Sequence, residues 1–434
     1  MKSKVLKNAF WIISCRVVQS LLGLVIAMLS ARYLGPSNYG IINYASSIVA
    51  FVVPIMTLGL NNILVQELVD HPEREGEILG SSLLISFFSS LFCILGVISF
   101  SFIANAKEPV TIVVCALYSL MLIPQALELI QYWYQAKYLS KYTSIVALVA
   151  YVVISLYKIF LLACQKSIYW FAISNALDFF LIAISLLIIY RKVGGQKLSF
   201  SKKTAVQLVS KSKYYILSAM MVTVFAQTDK IMIKLMLGDE ETGYYAAAVV
   251  CAGVCCFVFA AIIDSFRPTI LECAKTNTVA FEKNMSLLYC IIIYLSLAQC
   301  LVMTIFAKQV VSILYGSAFF SAISALQIIV WYTTFSYLGS IRNIWILSVG
   351  KQKYLWIIDL CGAFLNVILN FILIPAMGIN GAAVASLATQ IFTNVIIGFI
   401  LKPIRHNNRL MIRGLNPKLI LELIEKRKRF DHSA

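Results

Sequence analysis

The sequence predicts an all-helical protein that crosses a membrane twelve times, in two lobes of six helices around a central cavity. Composition gives the first indication. Of the 434 residues, 61% are apolar and 13% are charged, whereas a soluble domain has roughly 45–50% apolar and about 25% charged residues. The second indication is the spacing of long apolar runs between short polar segments. A run of about 20 apolar residues is long enough to cross the hydrocarbon layer as a helix.

The apolar runs divide the chain into its predicted segments. The spans are 9–34, 40–66, 79–104, 110–134, 143–163, 168–190, 211–236, 242–266, 285–307, 323–346, 354–374 and 379–400. The longest polar interruption, 191–210, separates six spans from six. We therefore predict an N-terminal lobe at 1–190, a cytoplasmic linker at 191–210, a C-terminal lobe at 211–400 and a basic tail at 401–434.

The charge distribution predicts the orientation in the membrane. Lys and Arg number 36 against 19 Asp and Glu, a net charge of +17. Most of the basic residues lie at the N-terminus, in alternate loops, in the linker and in the tail. Because cytoplasmic loops retain the excess of Lys and Arg, both termini are predicted to be cytoplasmic. Membrane topology thus explains the positive charge and excludes nucleic-acid binding as its cause.

The sequence contains no pattern typical of a metal, cofactor or catalytic site. The 11 cysteines form no C-x-x-C pair, and the three histidines lie in polar connecting segments without partners at metal-ligand spacing. The basic N-terminus leads into an apolar run with no small-residue cleavage site, which predicts a first span rather than a removable signal. We expect a protein that is not an enzyme and that needs no cofactor.

A short motif repeats after the first span of each predicted lobe. Leu34-Gly35 is followed by Gly40, and Leu237-Gly238 is followed by Gly243, so both turns read L-G-x-x-x-x-G. Glycine permits the positive φ that a tight turn between two helices requires. Six spans return the chain to its starting side, so the two lobes form a parallel repeat. Transporters built from such repeats bind their substrate between them.

Charged residues inside predicted spans identify candidate functional positions, because a charge at the bilayer centre costs at least about 2.5–3.5 kcal/mol. Small and polar residues form one stripe on span 1, namely Asn8, Arg16, Gln19, Gly23, Ala27 and Ser30, and another on span 7, namely Thr223, Gln227, Lys230 and Lys234. We expect these stripes to face each other across the cavity. The predicted cavity residues are Arg16, Gln19, Lys158, Gln227, Lys230, Lys234 and Arg342. Such a cationic lining suits a phosphate or pyrophosphate.

Alternative roles for these residues stay open. Asp178 and Asp229 are candidates for ion coupling or for charge balance, and Asp178 is the natural ion-pair partner of Lys158. Lys234 and Arg342 lie near predicted helix ends, where long side chains extend to the membrane surface.

Two longer stretches carry a family resemblance. Residues 31–40, ARYLGPSNYG, and residues 370–383, NFILIPAMGINGAA, resemble the bacterial polysaccharide-exporting (Wzx-like) flippases of the multidrug/oligosaccharidyl-lipid/polysaccharide exporter superfamily. Residues 227–230 and 243–246 are also similar to that group. The resemblance implies a monomeric flippase of the bacterial cytoplasmic membrane. Its implied substrate is an undecaprenyl-pyrophosphate-linked oligosaccharide, moved to the periplasmic leaflet by alternating access, with the polysaccharide polymerase and chain-length machinery as possible partners. Members of the group commonly carry intramembrane charges near Arg16, Lys158, Asp229 and Lys230.

Three rival functions are weaker. A MATE-type multidrug antiporter takes cationic substrates and would favour negative charge in its cavity. A lipid II flippase of the same superfamily typically has two further spans. A membrane polysaccharide polymerase or glycosyltransferase would show a large outer loop or a D-x-D motif, and the chain contains no D-x-D.

Overall fold

The computed structural model describes residues 2–419, with side chains for Cys15, 18–20, 22–217 and 219–419. The side chain of Arg16 and the part of the predicted basic tail from 420 onward lie outside the described residues. All regular structure in the described range is helical, with no strand. The predicted all-helical polytopic fold is confirmed.

By packing, the chain divides into two compact units, Met1–Gly243 and Tyr244–Ala434. The helices that begin in the first unit are α1 (Lys2–Met56), α2 (Leu64–Asp70), α3 (Glu75–Ala104), α4 (Pro109–Ser119), α5 (Leu122–Leu127), α6 (Gln131–Ala136), α7 (Ser140–Ala163), α8 (Ile168–Lys192), α9 (Lys202–Leu237) and α10 (Asp239–Gly253). Because this division follows packing and not the count of spans, the division into lobes of six spans stays a prediction.

The second unit contains the remaining helices. They are α11 (Cys256–Thr276), α12 (Thr278–Ile305), α13 (Ala307–Leu314), α14 (Ala322–Ser348), α15 (Leu355–Met377), α16 (Ile379–Ile391), a π-helical turn (Phe392–Ile396), α17 (Ile397–Ile400) and α18 (Arg405–Arg413). Its core forms chiefly where α11, α12 and α14 pack together, with α18 against α12.

Every predicted span falls on a helix or on a broken helix of the structure. Among the described residues, eight helices are long and apolar enough to cross a membrane, or ten when two bent pairs are each counted as one span. The bent pairs are the two halves of α9 and the pair α10 with α11. The predicted tenth span, α14, is not among the ten. Its threonine, serine, tyrosine and tryptophan side chains lower its mean hydropathy.

Glycine and proline determine where the first unit's helices bend. α1 contains two predicted spans and changes direction at Gly35, whose φ is +73°. Pro36 follows directly and suits the first turn of the second half, since proline lacks the N–H that a helix start leaves unpaired. The predicted fourth span is broken into α4, α5, a 3-10 turn (Glu128–Ile130) and α6, with Pro124 in α5. The break begins at Glu128, which lines a cavity.

Residues 193–201 of the predicted linker form an ordered strap on the first unit, whereas its two ends belong to α8 and α9. The backbone N–H of Ser199 donates to the Gly76 carbonyl at 3.1 Å, and the backbone N–H of Gly76 donates to Gln196 Oε1 at 3.1 Å. A Cβ atom on Gly76 or Gly80 would lie within 3.0 Å of the strap backbone. The strap therefore requires glycine at both positions of α3.

Candidate substrate-binding cavities and charged clusters

A cavity inside the first unit contains the predicted site residue Lys158. It has a volume of about 220 Å³ and lies between α1, α7 and α8. Its lining consists of Gly23, Ile26, Ala27, Ser30, Leu34, Tyr39, Ile42, Asn43, Ser46, Tyr118, Tyr151, Lys158, Phe171 and Asn175. Lys158 Nζ donates to Asn175 Oδ1 at 3.4 Å. Lys158 is the one charged side chain in this lining, which we call the Lys158 cavity.

The small residues of α1 create this space. Gly23, Ala27 and Ser30 fall on one face of the helix, and all three line the cavity. A Cβ atom on Gly23 would lie 2.8 Å from Tyr151 Oη, so glycine lets α1 and α7 approach closely. The stripe therefore faces α7 and α8. The expectation that it faces span 7, which is α9, is wrong for these three residues, because the cavity that they line includes side chains of α7 and α8 and none of α9.

Asp178 interacts with Lys158 electrostatically but forms no ion-pair contact with it within 4.0 Å. Its Oδ1 atom is buried without a hydrogen-bond partner among the described residues. No carboxylate oxygen in the described part of the chain lies within 4.0 Å of Lys158 Nζ. Lys158 thus presents a cation to a polar cavity without a carboxylate bound to it.

A second cavity of about 320 Å³ lies elsewhere in the same unit. Its lining consists of Cys15, Gln19, Glu128, Gln131, Gln135, Ser140, Thr143, Ser144, Ala147, Ile182 and Leu186. The predicted residue Gln19 belongs to it, and we call it the Glu128 cavity. This cavity was not predicted from the sequence. The available signal was the spacing of Glu128, Gln131 and Gln135, three and seven residues apart, which places polar groups on one helical face.

Lys234 lies at the centre of a buried charged cluster, near the turn between α9 and α10. Its side chain is only 1% exposed, and Nζ lies 2.5 Å from Glu108 Oε2 and 2.6 Å from Asp239 Oδ1. Thr111 Oγ1 also donates to Glu108 Oε2, at 2.9 Å. Lys234 therefore does not extend to the surface, because two carboxylates hold its ammonium group. We call these residues the Lys234 cluster.

The same contacts determine the ionisation of Glu108, which lies between α3 and α4. Burial of its carboxylate raises the pKa, but hydrogen bonds from Lys234 and Thr111 outweigh this effect, and the pKa of Glu108 lies below its ordinary value. Glu108 is therefore the charged partner that Lys234 requires at neutral pH.

The remaining predicted residues of α9 lie apart from both cavities. Gln227 Oε1 accepts a hydrogen bond from Ser47 Oγ at 3.0 Å, which connects α9 to the second half of α1. Asp229 is buried. Lys230 is half-buried, and no carboxylate within the described part of the chain lies at ion-pair distance from it.

Arg342 lies inside the second unit, where it is 5% exposed. Its Nη1 atom donates to the Thr393 carbonyl at 2.6 Å, and Nη2 donates to Asn343 Oδ1 at 3.0 Å. Thr393 belongs to the π-helical turn, whose wide hydrogen-bonding pattern leaves carbonyl groups for side-chain donors. Arg342 therefore donates to backbone within its own unit and does not extend to the surface.

The predicted site residues thus lie in several separate places in the structure. Gln19 lines the Glu128 cavity, Lys158 lines the Lys158 cavity, Gln227 packs against α1 and Lys234 forms the charged cluster. The backbone of Arg16 belongs to α1, upstream of Gln19. Within the first unit, the predicted cavity residues do not share one pocket.

Membrane-length helices around cavities lined by charged and amide side chains define the chain as a polytopic membrane protein. A match to the polysaccharide biosynthesis protein family covers residues 5–273. Because this is more than half of the chain, the protein belongs to that family.

Solved structures with a similar fold include two members of the multidrug/oligosaccharidyl-lipid/polysaccharide exporter (MOP) superfamily. The lipid II flippase MurJ, in an inward closed conformation, aligns with a TM-score of 0.73 at 14% identity, over 95% of this chain and 92% of MurJ. An inward-facing multidrug resistance MATE transporter aligns with a TM-score of 0.67 at 13% identity, over 90% of this chain and 95% of the transporter. The chain therefore shares its fold with these two proteins.

A curated relative is an uncharacterized membrane protein of Methanocaldococcus jannaschii. It is 25% identical over 237 residues, which are 51% of this chain and 46% of the relative. The chain thus spans about half the length of the curated relative that it matches.

Proposed function

We propose that the protein is a flippase for lipid-linked oligosaccharides. It moves undecaprenyl-pyrophosphate-linked repeat units from the cytoplasmic to the periplasmic leaflet of a bacterial cytoplasmic membrane. The two predicted six-helix lobes alternate in access, both termini are cytoplasmic, and the chain acts as a monomer that supplies a polysaccharide polymerase. Family membership and a fold shared with MurJ support this proposal.

The observation that carries the proposal is the environment of Lys158. A cation that lines a polar cavity, without a carboxylate at ion-pair distance, attracts an anionic group into that cavity. The pyrophosphate of a lipid-linked saccharide supplies that group, and a lysine binds phosphate as a point charge. A cationic drug would meet repulsion at the same position, so this observation favours the flippase over a MATE-type antiporter.

The test is display of surface polysaccharide in a strain that lacks the protein. The strain is complemented with wild type, Lys158→Met, Lys158→Arg or Lys166→Met at matched membrane expression. Lys166→Met is the control, because it removes one positive charge from an exposed loop and retains the backbone carbonyl that accepts from Tyr33 Oη. Arg16→Ala extends the series to the predicted charge of span 1.

We expect lipid-linked repeat units to accumulate in the deletion strain. Wild type and Lys166→Met restore display, Lys158→Met does not, and Lys158→Arg restores part of it. Normal display in the deletion strain, without accumulation and without a substituting paralogue, would contradict the flippase proposal. Loss of resistance to cationic drugs in that strain would then identify an antiporter.

A further inference from the structure

The two cavities of the first unit have opposite electrostatic character. Lys158 is the one charged residue in the lining of the Lys158 cavity, and Glu128 is the one charged residue in the lining of the Glu128 cavity. A pyrophosphate suits the first lining, whereas the second contains no cation to bind it. The Glu128 cavity therefore requires a ligand of different chemistry.

The hydrogen-bonding groups of the Glu128 cavity identify that chemistry. Thr143 Oγ1 and Ser144 Oγ both donate to the Ser140 carbonyl, at 2.8 Å and 3.0 Å. Their hydroxyl protons are therefore engaged, and their oxygens remain as acceptors. The ionised Glu128 carboxylate accepts hydrogen bonds, and the protonated carboxyl both accepts and donates. Glutamine amides at 19, 131 and 135 contribute both donors and acceptors.

A lining with an excess of acceptors favours a ligand rich in O–H or N–H donors. A sugar ring has this property, because each of its hydroxyls donates one hydrogen bond, whereas pyrophosphate oxygens mainly accept. The volume of about 320 Å³ also falls at the lower end of the range for small-molecule sites, roughly 300–1,000 Å³.

From these contacts we infer that the Glu128 cavity binds a sugar ring of the transported saccharide, through hydroxyl or amino donors directed at Glu128. This inference rests on the proposed function, and it assigns different parts of the substrate to the two cavities of the first unit. The Lys158 cavity binds the anionic part of the substrate, and the Glu128 cavity recognises the glycan.

The experiment uses one cysteine in each cavity. Ser144→Cys reports on the Glu128 cavity, and Ser30→Cys reports on the Lys158 cavity. Both variants carry Cys15→Ser, because Cys15 lines the Glu128 cavity. The purified full-length protein is alkylated with N-ethylmaleimide, and modification of the peptide that contains each new cysteine is followed by mass spectrometry. The probes are a panel of free hexoses and hexosamines and, separately, geranyl pyrophosphate.

We expect at least one sugar of the panel to slow alkylation at position 144 and to leave position 30 unchanged. At ten times its dissociation constant, a bound sugar slows the reaction about elevenfold. Geranyl pyrophosphate gives the converse pattern. Glu128→Gln and Thr143→Val each reduce protection by the sugar, whereas Glu73→Gln, which removes a charge from an exposed side chain, leaves it unchanged.

The outcomes separate the inference from the proposed function. If geranyl pyrophosphate protects position 30 but no sugar protects position 144, the glycan site is refuted and the flippase proposal stands. If a sugar protects position 144 and geranyl pyrophosphate protects neither position, the glycan site stands and the pyrophosphate role of Lys158 is refuted. Equal protection of both positions by a sugar would also refute the inference, because it would show nonspecific shielding.

Discussion

Gly40 packs directly against the backbone carbonyl of Asp239, so that a Cβ atom on Gly40 would lie within 3.0 Å of that oxygen. The repeat motif produces the same contact in the other direction, because a Cβ atom on Gly243 would lie within 3.0 Å of the Pro36 carbonyl oxygen. Pro36 and Asp239 each follow the positive-φ glycine of their own turn, Gly35 and Gly238. The two repeated turns therefore pack reciprocally, backbone against backbone.

This packing predicts that Gly40→Ala is destabilising. Insertion of a methyl group into a well-packed contact lowers the free energy of unfolding by about 1–3 kcal/mol. Here the neighbouring atom belongs to the backbone, which moves less easily than a side chain. We expect a lower midpoint of thermal unfolding for Gly40→Ala and for Gly243→Ala. Gly96→Ala is the control, because a Cβ atom on Gly96 meets nothing within 4 Å and alanine favours a helix. Equal midpoints for Gly40→Ala and Gly96→Ala would contradict the close packing of the turns.

The Lys234 cluster predicts a stabilising role for a residue that the sequence assigned to the cavity. Lys234→Met leaves Glu108 and Asp239 without their cation, and we expect a loss of about 2–3 kcal/mol. This is below the roughly 3–5 kcal/mol for a fully buried pair, because the Glu108 side chain is 44% exposed and water replaces part of the interaction. Thermal unfolding measures the loss, with Lys107→Met as the control at an exposed neighbouring position. An unchanged midpoint in Lys234→Met would refute a stabilising role.

The lowered pKa of Glu108 predicts an acid-dependent loss of stability. An unfolded glutamate titrates near 4.3, and the folded pKa lies below this value. The contribution of Glu108 is therefore fully present above about pH 4.3 and is lost as the pH falls through the folded pKa. Unfolding midpoints of wild type and Glu108→Gln, measured from pH 7 to pH 3, should converge at the acid end. A constant difference across this range would exclude Glu108 as the titrating group.

The contact between α3 and the strap predicts protection of the linker from proteases. Gly80→Ala places a methyl group against the backbone of Ser199, which we expect to displace the strap. Lys197, Lys202 and Lys203 then become better trypsin sites, and cleavage there accelerates several-fold relative to wild type. Limited proteolysis with mass spectrometry identifies the sites, and Gly96→Ala again serves as the control. Unchanged cleavage in Gly80→Ala would show that the strap tolerates the added methyl group.

Some site residues were found from the sequence and others were not, for a physical reason. Lys158 was recognisable because a charge within an apolar run is costly wherever the helix points. The cavity of Glu128 was missed, because it depends on a helix break in span 4 and on Gln19 from another helix. Lys234 and Arg342 were recognised as charges, while their partners Glu108 and Thr393 were not.

The sequence by itself determined the positions of the spans, the repeated turns and the candidate charges, because apolar run length, glycine spacing and charge placement are local properties of the chain. Only the tertiary structure decided that the small-residue stripe of α1 faces α7 and α8, that Lys234 is held by Glu108 and Asp239, and that Lys158 and Glu128 lie in separate cavities. These relationships depend on the rotation of each helix about its axis and on contacts between residues more than a hundred positions apart, such as Glu108 and Lys234. Side-chain pairing of this kind is fixed by packing geometry, which the order of residues in one span does not specify.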